Sequence, residues 1–219
     1  MYDRLKGLFG DKLDFLAKKN ILLVGVGGVG SSVFEVLIRS GIKNITIIDF
    51  DKYELSNINR QLNSNIEVIG KNKVDVLKEH ANKINPDIKV ESLITFLDEN
   101  TNIDIKKYDY IIDACDSIKA KVLLVLACKK YNKKLICSLG VGNRVNPKSL
   151  EITTLKKTVN DPLGKKFRHE LNKEGFNDEV VVLSSKEVPI KSNPVSSYIG
   201  VSMTAGILIA DYVIKDLIS

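Results

Sequence analysis

A cluster of glycines near the N-terminus has the spacing of a phosphate-binding turn, G-x-G-x-x-G. Its members are Gly25, Gly27, Gly28 and Gly30. The cluster follows the aliphatic run of residues 21–24, which we predict as a buried strand, and it precedes a predicted helix over residues 31–40. Because glycine lets the backbone approach phosphate, and the first amides of a helix attract negative charge, this arrangement indicates nucleotide binding. The motif alone would suggest a dinucleotide.

Charged and polar residues follow the next predicted strand, residues 44–48. They are Asp49, Asp51, Asn57, Arg60 and Lys73, with Asp116 after a later strand. Asp49 is placed to accept a hydrogen bond from ribose hydroxyls. Arginine and lysine can stabilise negative charge on phosphoryl oxygens, and a carboxylate can hold a metal ion that neutralises such charge.

Strands and helices alternate along the first two thirds of the chain. The predicted strands are residues 21–24, 44–48, 89–94, 108–112 and 134–138, and the predicted helices are residues 11–18, 31–40, 71–84 and 119–131. This alternation indicates an α/β class, with a Rossmann-like, doubly wound and mainly parallel sheet covered by helices on both faces. Ligands bind at the carboxyl ends of such strands, so the glycine turn, Asp49, Asp116 and residues 138–140 should share one rim.

The last third of the chain breaks this alternation. Residues 152–155 are predicted as an edge strand, residues 160–173 as a basic helix capped by Asp161, and residues 180–183 as a short strand. The final helix should cover residues 200–217. We therefore predict one domain over residues 1–219. It comprises an ATP-binding core at 1–140, a substrate-side crossover and insertion at 141–199, and a C-terminal helix at 200–219.

The composition is compatible with a nucleic-acid partner and disfavours a disulfide-rich, zinc-binding or membrane-spanning protein. The chain has 219 residues, a 44% apolar fraction and a formal net charge of +6, which is compatible with a nucleic-acid partner. Its three cysteines, Cys115, Cys128 and Cys137, form no C-x-x-C pair, so a disulfide framework and a zinc site are unsupported and a reducing cytoplasm is favoured. The apolar stretch of residues 198–210 is too short for a membrane span.

Taken in order, these segments resemble the family that includes the ubiquitin-activating enzymes and the bacterial activators of sulfur-carrier proteins. The resemblance covers residues 4–140 and implies ATP and Mg2+. It implies that Asp49 holds the ribose and Asp116 the metal. The implied phosphate-binding residues are Asn57, Arg60 and Lys73. Arg4 corresponds to an arginine that, in homodimers of this family, reaches the ATP of the neighbouring subunit, so the resemblance also implies a homodimer.

Residues 158–168 and 180–189 resemble one subgroup, the tRNA threonylcarbamoyladenosine dehydratases, as do Asp116-Ser117 followed by Lys121 and residues 140–143. Many of these relatives have a cysteine where this chain has Val182. The subgroup implies an acyl-adenylate on the threonine carboxylate, which the urea group of the substrate then attacks to close a ring with loss of water. Intramolecular attack of this kind has a large effective molarity. The candidate residues for contact with substrate tRNA are Lys121, Lys165 and Arg168.

Three other interpretations stay open at this point. The first is an activator of a small sulfur-carrier or ubiquitin-like protein, although no cysteine follows Leu139 to receive a thioester. Cys115 and Cys137 lie in strand-like sequence, which disfavours a nucleophilic role. The second is a nucleotide-binding module without catalysis. The third is a nicotinamide dehydrogenase, which Asn57, Arg60 and Lys73 disfavour.

Overall fold

A seven-stranded sheet forms the centre of the computed structural model, which describes residues 2–219. Its strands are β1 (Asn20–Val24), β2 (Asn44–Ile48), β3 (Lys89–Leu93), β4 (Tyr110–Asp113), β5 (Lys134–Ser138), β6 (Leu150–Thr154) and β7 (Val181–Ser185). They are ordered β3-β2-β1-β4-β5-β7-β6. All neighbouring strands are parallel except β6 and β7, which are antiparallel.

Helices cover both faces of this sheet. They are α1 (Asp3–Phe9), α2 (Lys12–Ala17), α3 (Gly28–Arg39), α4 (Lys73–Ile84), α5 (Ile118–Tyr131), α6 (Pro162–Lys173) and α7 (Ile199–Ile218). In β1, Ile21 and Leu23 pack with α3, α4 and α7, whereas Leu22 and Val24 pack with α5. This period-two alternation buries both faces of the strand and explains its continuous aliphatic sequence. The predicted doubly wound α/β fold is confirmed.

Helix α7 lies directly against α3, the helix that follows the glycine turn. A Cβ atom added at Gly206 would lie 2.5 Å from the Cβ atom of Ser32 and 2.6 Å from the carbonyl oxygen of Val29. The two backbones therefore approach closely only because position 206 has no side chain. This contact fixes the start of α3, and with it the glycine turn, against the C-terminal helix.

Several boundaries differ from the predictions. Helix α1 was not predicted, and α3 begins at Gly28, three residues early, because the glycine turn itself forms the first helical turn. The segment of residues 141–199, predicted as a crossover and insertion with two short strands, contributes β6 and β7 to the central sheet. The predicted edge strand is confirmed as β6. Asp161 caps α6 as predicted, accepting a hydrogen bond from the Gly164 amide at 2.9 Å.

Among residues 2–219, no helix combines the length and the hydropathy that crossing a bilayer requires.

Candidate active site

A cleft of about 720 Å3 opens where β1, β2, β4 and β5 end. The glycine turn, the residues after β2 and β4, the loop of residues 57–61 and the start of α7 contribute to its walls. Of the residues predicted to bind the nucleotide, the following line it: Gly25, Gly27, Gly28, Asp49, Asp51, Asn57, Arg60, Lys73 and Asp116. Parallel strands end at the same edge of a sheet, which is why residues so distant in sequence meet here.

The glycine turn has no space for side chains at Gly25 and Gly30. Gly25 has a φ of +85°, and an added Cβ atom would lie 2.7 Å from the amide nitrogen of Cys115. An added Cβ atom at Gly30 would lie 1.9 Å from the carbonyl oxygen of Gly25. Gly30 therefore lies under the turn and does not line the cleft. A side chain at Gly25 would push the turn away from the loop after β4, and one at Gly30 would push it away from the start of α3.

Asp49 is fixed at the edge of this turn by two backbone amides. Its Oδ2 atom accepts a hydrogen bond from the Val26 amide at 2.8 Å, and its Oδ1 atom accepts one from the Asp51 amide at 2.9 Å. Carboxylate oxygens have further lone pairs, which leaves capacity to accept a hydrogen bond from a ligand hydroxyl. The carboxylate thus links the glycine turn to the loop that follows β2.

Lys73, the first residue of α4, reaches the same loop. Its Nζ atom lies 2.7 Å from Oδ2 of Asp51, and its side chain is 6% exposed, against 47% for Asp51. The Lys73 side chain is therefore largely removed from solvent, whereas its partner Asp51 is exposed at the cleft. Interactions of a buried cation are stronger than those at the surface, so a phosphate in the cleft would compete with Asp51 for Lys73.

Arg60 and Asn57 lie in one short loop but use their side chains differently. Arg60 donates hydrogen bonds to the carbonyl oxygen of Ser56 at 2.6 Å and to the side chain of Asn59 at 3.0 Å. Both partners are neutral, so the charge of the guanidinium remains available. Asn57 is 6% exposed and accepts a hydrogen bond from the Glu54 amide at 3.2 Å. The structure therefore gives Asn57 a role in closing the loop that carries Arg60.

Asp116 extends into the cleft from the loop after β4. The residue is exposed, and within residues 2–219 its carboxylate has no hydrogen bond or ion pair. The part of the chain that the structure describes holds no group of three or more metal-ligating side chains. One free carboxylate beside a phosphate site fits Mg2+, which is usually bound by one or two carboxylates together with waters and substrate phosphates.

An ion pair lies beneath this loop, where neither partner reaches solvent. Lys121 donates to Oδ2 of Asp113 at 2.9 Å and to the carbonyl oxygen of Ser138 at 2.7 Å, and both side chains are 0% exposed. The predicted contact of Lys121 with substrate is therefore corrected, because its ammonium is enclosed. Burial alone would lower the pKa of Lys121, but the Asp113 carboxylate together with Cys115 and Cys137 outweighs burial and raises that pKa. The pair joins the ends of β4 and β5.

Comparison with known proteins places this arrangement in a family. The model of the ThiF family matches residues 2–214. The chain belongs to the ThiF family. A relative from Bacillus subtilis named tRNA threonylcarbamoyladenosine dehydratase is 35% identical over 94% of this chain and 89% of its own length. The Haemophilus influenzae protein of that name is 40% identical over 75% of this chain. This chain spans 64% of the length of that relative.

A solved structure carries a bound nucleotide in the same fold. The crystal structure of the Escherichia coli tRNA N6-threonylcarbamoyladenosine dehydratase in complex with ATP matches with a TM-score of 0.91 and 29% sequence identity. The match covers 99% of this chain and 93% of that chain. A relative with the same fold as this ThiF-family chain therefore binds ATP.

The two cysteines near the cleft of this ThiF-family protein are poor nucleophiles. Burial, and then the Asp113 carboxylate, raise the pKa of Cys115 far above that of a free thiol. The same two causes raise the pKa of Cys137, which is 0% exposed. Since the thiolate is the reactive form, both thiols remain protonated near neutral pH. This favours a reaction without a thioester.

Three predicted residues lie away from the cleft. Arg4 is exposed on α1, and Lys165 is exposed on α6. Arg168 is half-buried and donates hydrogen bonds to the carbonyl oxygens of Leu155 at 2.7 Å and Thr158 at 3.3 Å. Its guanidinium therefore ties α6 to the chain that precedes it. Contact of Lys165 or Arg168 with tRNA would take place on a surface separate from the cleft.

Sequence reasoning missed an aromatic pair in the cleft wall. The rings of Phe50 and Phe96 meet edge to face, with centroids 5.4 Å apart and planes at 67°. The side chains are 55% and 43% exposed and line the cleft, so a flat base can stack there. Phe50 directly follows Asp49, and this position could have predicted that Phe50 lies in the cleft. Phe96 lies after β3, and its proximity to Phe50 depends on strand pairing.

Gln61 is a second residue that the sequence did not single out. It is 4% exposed and lines the cleft. Within residues 2–219, its Oε1 atom is buried without a hydrogen-bond partner. A buried acceptor of this kind costs free energy unless water or a ligand satisfies it. In the sequence, only the position of Gln61 directly after Arg60 indicated that it could lie in the cleft.

Proposed function

We propose that this protein uses ATP to adenylate the threonine-derived carboxylate of threonylcarbamoyladenosine in tRNA and then closes that side group into a ring with loss of water. One observation carries the proposal. The cleft combines the glycine turn with two cations, Arg60 and Lys73, and an unpaired carboxylate, Asp116. The relatives named for this activity resemble the chain over most of its length.

In the first step, a carboxylate oxygen of the substrate attacks the α-phosphorus, and the bond from that phosphorus to the oxygen of pyrophosphate breaks. Negative charge increases on the phosphoryl oxygens, where Arg60, Lys73 and the amides of the glycine turn can stabilise it. Asp116 would hold Mg2+, which neutralises phosphate charge when bound. The Phe50 and Phe96 rings would stack on the adenine, and Asp49 would accept a hydrogen bond from the ribose.

In the second step, a nitrogen or an oxygen of the urea group of the substrate attacks the acyl carbon. The bond between that carbon and the AMP oxygen breaks, so the oxygen lost from the substrate leaves on AMP and the proton of the attacking group passes to solvent. The products are AMP, pyrophosphate and a nucleoside lighter by one water. No protein nucleophile takes part, which agrees with the protonated thiol of Cys115.

Assembly and surroundings follow from the same proposal. We propose a single domain in a homodimer, in which Arg4 of one protomer reaches the nucleotide of its partner. Lys165 and Arg168 on α6 are our candidates for contacts with tRNA phosphates. The free cysteines and a tRNA substrate favour a cytoplasmic site of action.

The test combines purified protein, ATP, Mg2+ and tRNA that carries threonylcarbamoyladenosine, followed by mass analysis of the nucleosides. We expect a product lighter by one water, reduced by about 100-fold or more in Arg60→Ala and Asp116→Ala, because each removes a group that meets transition-state charge. Arg39→Ala and Asp211→Ala are the matched controls, since both residues are exposed and lie outside the cleft. Well-folded protein that forms no such product would reject the proposal.

Other outcomes identify the alternatives. Pyrophosphate exchange that requires a small protein ending in Gly-Gly, and that ignores tRNA, would indicate a sulfur-carrier activator. Binding of ATP without turnover would indicate a non-catalytic module. Preference for NAD over ATP in equilibrium binding would indicate a dehydrogenase.

A further inference from the structure

A second cavity of about 670 Å3 adjoins the nucleotide cleft, and we call it the side cavity. Its walls come from three segments, namely residues 140–144 after β5, residues 161–163 at the start of α6, and residues 189–195 after β7. The residues that line both spaces are Gly140, Gly142, Leu163 and Val195. The two spaces therefore adjoin beside the end of β5, and we call the residues they share the junction.

A buried arginine holds the three walls together. Arg144 is 2% exposed, and it donates from Nε to the carbonyl oxygen of Gly140 at 2.9 Å and from Nη2 to that of Asn160 at 2.8 Å. Its Nη1 atom donates to the carbonyl oxygen of Glu187. Each acceptor lies in, or within two residues of, a different wall. Because removing a guanidinium from water is costly, its use on backbone carbonyls indicates a cavity whose shape is fixed in advance.

Asn143 makes a second connection between two of these walls, the segment after β5 and the segment after β7. The backbone amide of Asn143 donates a hydrogen bond to the carbonyl oxygen of Ser196 at 2.7 Å, and its side-chain oxygen accepts one from the backbone amide of Ser196 at 2.7 Å. The Ile190 amide donates to the carbonyl oxygen of Asn143 at 2.8 Å. The segment after β7 is therefore held at both ends, although it has no regular secondary structure of its own.

The chemistry of the lining suits a nucleoside. Pro162, Pro189 and Ile190 offer apolar surfaces for a base, and Asn193 can offer an amide for its polar edge. At the rim, Lys191 is exposed, and its ammonium makes no hydrogen bond or ion pair with any residue in 2–219. A free cation at this place can meet a phosphate that flanks the bound nucleoside.

We propose that the side cavity binds the threonylcarbamoyladenosine nucleoside, extruded from the tRNA, with its carboxylate directed through the junction at Gly140 and Gly142 toward the nucleotide cleft. This inference rests on the proposed function. The carboxylate must come within about 3.5 Å of the α-phosphorus before it reacts. The residues of the junction line both spaces, so the junction is the place where the nucleoside and ATP can approach each other. A cavity of this size lies within the usual range for small-molecule sites.

The test uses a pair of variants two residues apart. Ile190 is 53% exposed and lines the side cavity but not the nucleotide cleft, so Ile190→Trp fills the cavity without disturbing the core. Val188 is 68% exposed and lines neither space, so Val188→Trp is the matched control. We expect Ile190→Trp to raise the KM for modified tRNA about tenfold or more, with an unchanged Kd for ATP, because only one substrate loses its site. Val188→Trp should change neither value.

A second measurement keeps this inference separate from the proposed function. Equilibrium binding of the free threonylcarbamoyladenosine nucleoside is measured for the wild type and both variants, and adenosine serves as the reference ligand. Dehydration by the wild type with equal KM values and equal nucleoside binding in the two variants would overturn the inference and leave the function intact. Absence of dehydration by the wild type would reject the function, and loss of nucleoside binding confined to Ile190→Trp would still support the cavity.

Discussion

Removing the ammonium of Lys121 should destabilise the protein far more than removing any surface charge. Lys121→Met keeps the length of the side chain but leaves the Asp113 carboxylate in a site where both side chains are 0% exposed. Breaking a buried pair from one side costs about 3–5 kcal/mol, because the remaining charge has no compensation. The carbonyl oxygen of Ser138 also loses its donor, which adds about 1 kcal/mol. We therefore expect the free energy of unfolding to fall by about 5 kcal/mol.

The assay is equilibrium unfolding in urea at pH 7, with Lys119→Met as the matched control because Lys119 is exposed on the same helix. A double-mutant cycle with Asp113→Asn separates the energy of the ion pair from that of side-chain packing. The double variant should lose less free energy of unfolding than the two single variants lose together. Lys121→Arg should recover part of the loss, since it restores a cation. A loss below about 1 kcal/mol in Lys121→Met would refute the reasoning, because that is the range of surface pairs.

The same pair predicts a dependence on pH. The folded pKa of Lys121 is raised above the ordinary value of 10.5, so its contribution to the free energy of unfolding is fully present below pH 10.5. The contribution is lost as the pH rises through the folded pKa. The difference in stability between wild type and Lys121→Met should therefore be constant from pH 7 to pH 10 and should shrink in stronger alkali. Urea unfolding at several pH values measures it.

Three further predictions concern the cleft and its support. Phe96→Ala should raise the Kd for ATP about tenfold in equilibrium binding, because it removes half of the ring pair with Phe50 and because base stacking contributes about 1–3 kcal/mol. Iodoacetamide should modify Cys115 more slowly at pH 8 than a free thiol, as followed by mass spectrometry, since burial and Asp113 raise its pKa. Gly206→Ala should lower the free energy of unfolding by about 1–3 kcal/mol in urea, because its methyl group overlaps α3.

The sequence predicted those parts of the structure that depend on local pattern. The five strands of the first two thirds, the glycine turn and the cap at Asp161 all follow from residue periodicity and from the conformations of glycine and aspartate. The place of β7 between β5 and β6 could not be predicted in this way, because a short apolar pattern indicates a strand but does not show which strands lie beside it.

Roles of individual charged residues were harder to predict, because they depend on which side chains meet in space. Lys121 and Lys73 are both lysines at the starts of helices, yet one pairs with Asp113 in the interior and the other with Asp51 at the cleft. Nothing in the local sequence separates these outcomes. Arg144 was not singled out at all, since its acceptors are backbone carbonyls in distant segments, and a carbonyl leaves no signal in the residue type.

The two buried cations act on the same short segment. Lys121 binds the carbonyl oxygen of Ser138 at 2.7 Å, and Arg144 binds that of Gly140 at 2.9 Å. Ser138 and Gly140 line the nucleotide cleft, and Gly140 also lines the side cavity. The backbone between the two spaces therefore receives hydrogen bonds from two desolvated cations. A shift of about 1 Å in the approach of a nucleophile can cost about 100-fold in rate. We therefore infer that these cations have a positioning role, keeping the junction fixed so that carboxylate and α-phosphate meet in line.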